Sequence, residues 1–212
     1  FQLDGPTAVE REYTQKDFFI AKHFQGYSEI FQSLETLEDI QFYIRRFPFQ
    51  GTRITRARYL QFHVECYYSE VYILRERLAA YFTTIKRVYK KEEGFPRIAA
   101  TCEKLSETTA AALGGVTSAR GRHVHEQRFK DADIARLGTL SLLSLSPDKK
   151  FTATIDEYYR QAHLEAKQKW SNRVNADIKA IKELLDHLFA ELLPIVFETD
   201  EKNFKFPRRI EA

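Results

Sequence analysis

Two residue types near the middle of the chain can do chemistry together. Arg120 and His125 are separated by four residues, in Arg120-Gly121-Arg122-His123-Val124-His125. An imidazole moves protons on and off oxygen near neutral pH. A guanidinium stays charged and can stabilise negative charge building on phosphorus. Such a pair can cleave RNA without a metal. Around it lie Arg122, His123, Arg128 and Lys130, which suit the RNA backbone. From Arg120 to Lys130 four cations meet one acid, Glu126, an excess equal to the net +3 of the whole chain.

Two other pairs have four to six residues between Arg and His, Arg58/His63 and Arg56/His63. Chance supplies about 1.5 such pairs in a chain with this many Arg and His. Both fall inside a strongly periodic helix, and the offset of five in Arg58/His63 turns those side chains about 140° apart. His63, beside Leu60 and Val64, reads as a packed histidine. For Arg120/His125, Gly114-Gly115 is expected to break the preceding helix, and a new helix is expected to start near Gly121. Arg122 and His123 would then oppose the dipole of that first turn, where an anion is at home. The same residues also suit an ordinary charged surface, since Glu126 is spaced i,i+4 from both Arg122 and Lys130.

Other chemistries lack their motifs. No His has a Glu three residues before it, and there is no His-Glu-x-x-His or Cys-x-x-Cys, so a metal is not expected. Gly114-Gly115 lacks the Gly-Lys-Ser/Thr ending of a phosphate loop. No Gly-x-Ser-x-Gly marks a serine nucleophile. No cofactor is expected. Cys66 and Cys102 are too few for a disulfide framework and fit a reducing, cytoplasmic setting. No signal peptide is visible. Leu137–Pro147 is too short to span a bilayer, and Glu191 and Pro194 interrupt Leu188–Phe197, so no membrane partner is expected.

The elements that must position the pair are helices. The 212 residues, 43% hydrophobic and 30% charged, fit one globular domain. Residues 1–15 read as an arm and 198–212 as a basic tail. A first helix from about Lys16 to Phe47, with a possible break at Gly26, carries Tyr27, Ile30, Leu34, Leu37, Gln41 and Ile44 on one face, reinforced by Ile40. Leu60, Val64, Tyr67, Val71, Leu74, Leu78, Tyr81, Ile85 and Val88 form a heptad seam on a second helix, capped by Thr52 or Thr55 and ended at Gly94 and Pro96. A third runs from Pro96 to about Leu113 over Ile98, Cys102, Leu105 and Thr109. Asp131 or Asp133 caps a fourth, with Ile134, Leu137, Leu140 and Leu142 or Leu143 inward. A long last helix, from near Thr152 to about Phe197, uses Trp170, Val174, Ile178, Ile181, Leu185, Leu188 and Leu192. His23, His163 and His187 read as surface or boundary residues. Tyr67, Tyr68 and Tyr72 read as core and rim, and Trp170 as a packing anchor. No strand alternation is found. The sum is an all-α antiparallel bundle of about five helices, two of them long.

The Arg120-x4-His125 segment and this helical layout resemble the HEPN superfamily, whose catalytic members carry Arg followed four to six residues later by His. The resemblance covers the motif and the layout, not the full 212 residues. It implies a metal-independent endoribonuclease, with Arg120 and His125 catalytic and RNA as substrate. It also implies a homodimer that brings two motifs together, and a toxin or antiviral role with an antitoxin or partner protein. Gly121 departs from the polar residue common after the Arg. A non-catalytic interaction module and a nucleotide-binding module stand as alternatives.

Overall fold

The computed structural model describes residues 15–46, 54–92, 94–125, 131–196, 198–200 and 203–205; for 15–17, 119–125, 198–200 and 203–205 only the backbone is described. Most of the expected arm and most of the basic tail lie outside the described residues. The described residues form an all-α bundle of five helices: α1 (Gln15–Arg45), α2 (Arg56–Val88), α3 (Phe95–His125), α4 (Ala132–Leu143) and α5 (Lys149–Val196). No helix among the described residues is long and apolar enough to cross a membrane.

α2 is the central rod. Its expected seam is buried from Leu60 to Ile85, with Leu74 and Leu78 at 0% exposure. A second stripe, Tyr68, Phe82 and Tyr89, is buried beside it. One face cannot serve α1, α3, α4 and α5 together, and α2 contacts all four. Thr55 caps it, its hydroxyl accepting from the Arg58 amide at 3.2 Å. At 1.5 Å per residue its 33 residues run for about 50 Å.

The buried face of α1 differs from the expected one. It is Phe19, His23, Ile30, Ser33, Leu37, Ile40 and Ile44, and with the half-buried Gly26 it steps by fours and threes without a break. Tyr27 faces solvent and Gln41 is half-buried. Three positions of the true seam are not apolar, so hydrophobicity did not mark it. Each has a partner in α2. The Tyr81 hydroxyl lies 3.3 Å from His23 Nδ1. Arg77 donates to Ser33 Oγ at 2.6 Å and to the Glu29 carbonyl at 2.7 Å. Gly26 lets the Tyr81 ring lie against the α1 backbone, because a Cβ there would sit 2.6 Å from Tyr81 Cδ2.

α3 also departs from expectation. Gly114-Gly115 does not break it; the helix runs on to His125. Leu113 and Thr117 continue the face of Ile98, Cys102, Leu105 and Thr109 into the core. The Thr117 hydroxyl donates to the Leu113 carbonyl at 3.1 Å. Burial of this face outweighs the roughly 1 kcal/mol that each glycine costs a helix relative to alanine. A Cβ at Gly114 or Gly115 meets nothing within 4 Å.

Glycine-to-alanine changes therefore have opposite signs in two helices. Gly114→Ala with Gly115→Ala is expected to stabilise the fold by about 1–2 kcal/mol from helix propensity alone. Gly26→Ala is expected to destabilise it by about 1–2 kcal/mol, as overpacking against the buried Tyr81 exceeds the propensity gain. Urea denaturation midpoints measure both, and equal signs would refute the packing account.

α4 is capped by Asp131, whose Oδ1 accepts from the Asp133 and Ile134 amides at 3.0 Å. Ile134 and Leu137 are buried, but Leu142 and Leu143 are 71% and 41% exposed, contrary to expectation. Asp148 Oδ1 accepts from the Lys150 and Phe151 amides and opens α5. Along α5 the expected face is buried, with Trp170 at 2% exposure against Tyr68. Tyr67 donates to Asp177 Oδ2 at 2.5 Å. Near the ends of both long helices, the Tyr89 hydroxyl donates to the Val196 carbonyl at 2.6 Å. Beyond α5 lies a small antiparallel pair, β1 (Glu198–Asp200) and β2 (Asn203–Lys205), in register Glu198↔Lys205. Strands of three residues are too short to show alternation, which is why the sequence carried no sign of them.

Candidate functional site

Arg120, Arg122, His123 and His125 all lie in the last turns of α3. Their side chains, and all of Glu126, Arg128 and Lys130, lie outside the described residues. The backbone alone corrects one expectation. No helix starts near Gly121; this is a helix C-terminus. Cations are favoured there, because they offset the carbonyl end of the dipole. Their presence no longer calls for a bound anion, and the anion site expected at a helix start is withdrawn.

Continuity sets a second constraint. Residues 120 and 125 in one ideal helix are rotated about 140° and displaced about 7.5 Å along the axis. The Arg120 and His125 positions thus occupy different faces of α3.

The remaining histidines have other surroundings. His63 stacks on Tyr43 at 5.3 Å and meets the Tyr59 ring edge at 4.4 Å. It is packed as expected, and burial lowers its pKa. His23 and His163 are 5% and 7% exposed, so the surface reading fails for both. Burial lowers each pKa to about 4, with Arg56 and Lys167 adding to the effect at His163. His23 lies among the rings of Phe19, Tyr81 and Tyr89. His187 is exposed, 3.6 Å from Glu191. Burial raises both thiols, Cys102 to about 11, which leaves little thiolate for nucleophilic chemistry. Among the described residues no three His, Cys, Asp or Glu side chains group as metal ligands would.

One concavity adjoins the basic segment. It lies between the first turns of α2 and the body of α4, and Asp131, the residue after Lys130, forms part of its wall. Arg58 and Gln61 enter from α2, and Gly138 and Leu142 from α4. These residues are too scattered in sequence to read as a site. The available signal was Gly138, a glycine inside an apolar helical pattern with no turn to explain it.

The chain has no significant match among protein-family models, curated proteins or solved structures.

Proposed function

We propose that this chain is a metal-independent endoribonuclease of HEPN type that works as a homodimer. The reading is supported by placement. Arg120 and His125 share the last turns of α3, and the chain passes from there through Arg128 and Lys130 to α4, within an all-α bundle. His125 takes the proton from an RNA 2′-hydroxyl or returns one to the departing 5′-oxygen. The 2′-oxygen bonds to phosphorus as the 5′-oxygen leaves, so a cyclic phosphate end results. Arg120 stabilises the charge on the equatorial oxygens. Arg122, His123, Arg128 and Lys130 hold the backbone. The two catalytic positions lie on different faces of one helix, so a second copy completes each site. A toxin or antiviral role, with a partner protein holding the enzyme silent, fits this activity. Purified protein incubated with RNA in excess chelator should release cyclic-phosphate ends; intact RNA under all conditions would count against the reading.

A second reading, a protein-interaction module, is favoured by one surface. Ile20, Phe24, Tyr27 and Phe31 follow helical spacing along the outside of α1 and are 40%, 70%, 38% and 38% exposed. The Tyr27 ring lies 5.2 Å from that of Phe189 on α5, which extends the patch. An apolar row of this kind marks a contact surface. Phe24→Asp should convert a dimer to a monomer in sedimentation without loss of helicity. An unchanged mass would remove this stripe from the assembly.

A further inference from the structure

The cleft between α2 and α4 has a volume of about 370 Å³, within the range of sites for small ligands. Its walls are chemically mixed. Ala57, buried, and Leu142, 71% exposed, both line it and give it apolar surface. Arg58 has no carboxylate partner among the described residues. Asp131 uses Oδ1 to cap α4, and its Oδ2 carries no hydrogen bond among the described residues. Gln61 donates through Nε2 to Glu65 at 2.8 Å, which leaves its carbonyl as an acceptor.

Gly138 is the informative residue. A Cβ there would meet nothing within 4 Å. Packing does not require a glycine, and helix propensity argues against one. A glycine at this position leaves the cleft open.

A phosphate is a poor occupant, because the Asp131 carboxylate would repel it. An arginine donor and a carboxylate acceptor lining one cleft instead fit a base with acceptors on one edge and donors on the next. Guanine presents O6 and N7 to arginine. It also presents N1–H and N2–H as two adjacent donors that one carboxylate can accept together, which adenine, cytosine and uracil do not. Leu142 would cover the face of the base. Unpaired bases splayed from a single strand are the usual targets of sequence-selective RNA recognition.

We propose that the α2–α4 cleft binds a guanine base of single-stranded RNA, with Arg58 and Asp131 reading its edges and Gly138 leaving the room. That the base belongs to RNA rests on the ribonuclease reading; the base site rests on the cleft. Asp131 is six residues after His125, so the chain can separate them by no more than about 20 Å. A guanine bound here would therefore lie a nucleotide or a few from a phosphodiester at His125.

The test titrates guanosine, adenosine, cytidine and uridine 5′-monophosphates separately into wild type, Gly138→Leu and Arg58→Gln, following α4 amides by NMR. Guanosine monophosphate should bind wild type at least tenfold tighter than the other three. Both variants should lose at least tenfold of that affinity, with Gly138→Leu melting no lower than wild type. Equal binding of the four nucleotides, no binding of guanosine monophosphate, or wild-type affinity in Gly138→Leu would overturn the assignment. Mapping of RNA cleavage ends in chelator separates the two proposals. Cuts with no guanine bias, together with no guanosine monophosphate binding, would sink the cleft and keep the nuclease. Guanosine monophosphate binding that Gly138→Leu abolishes, with RNA left intact, would sink the nuclease and keep the cleft.

Discussion

Alanine at His125 is expected to slow RNA cleavage by about 10²–10⁴-fold, the contribution of a positioned acid–base group. Alanine at Arg120 should cost about 10²–10³-fold through lost charge stabilisation. Arg120→Lys should recover little, since an ammonium lacks the planar fork that grips two phosphate oxygens. Helicity and melting of each variant should match wild type, which circular dichroism checks alongside the rates.

The continuous helix makes this expectation more specific. Arg120 and His125 are turned about 140° apart on α3 if it is ideal, so the Arg of one copy would meet the His of the other. Mixed Arg120→Ala and His125→Ala subunits would then form some dimers with one intact site. Two-fold symmetry sets the recovered rate at about a quarter of wild type. No recovery on mixing would place both groups within one copy. Wild-type rates in both single variants would remove the segment from catalysis altogether.

The second large effect is a loss of stability in mild acid. His23 and His163 have folded pKa values of about 4, lowered by burial from the ordinary imidazole value of about 6.5. The unfolded chain therefore binds more protons than the folded one between these values. Both contributions are fully present above pH 6.5 and are lost as pH falls toward 4; below that both states are protonated and the loss levels off. At about 1.4 kcal/mol per pKa unit the two shifts have a ceiling of about 7 kcal/mol, which solvent screening lowers to a few, still a large share of the 5–15 kcal/mol typical of a domain. Urea denaturation at pH 7, 5.5 and 4.5 should show the decline, and His23→Gln with His163→Gln should flatten it. A profile equally steep in the double variant would move the effect to other groups.

Legibility in the sequence varied with how each position is stabilised. The seams of α2 from Leu60 to Ile85 and of α5 from Trp170 to Leu192 were plain, because a large apolar residue recurs there at every step of three or four. The seam of α1 was misplaced by His23, Gly26 and Ser33, whose partners Tyr81 and Arg77 stand more than forty residues away in α2. Two glycines at 114 and 115 read as a stop, since propensity is local and the burial of Leu113 and Thr117 is not. That misreading placed the Arg120–His125 segment at a helix start rather than a helix end. The α2–α4 cleft was invisible because its walls come from two helices far apart in the chain, and only Gly138 hinted at it.

Pro194 has no amide proton, so the final turn of α5 lacks one rung of its own ladder. The Tyr89 hydroxyl on the Val196 carbonyl fastens that turn from another helix. The two longest rods are thereby laced together at one extremity, and the hairpin hangs from the lacing. Release of this knot would free the extremity as one cooperative unit while the middle of the bundle stayed shut.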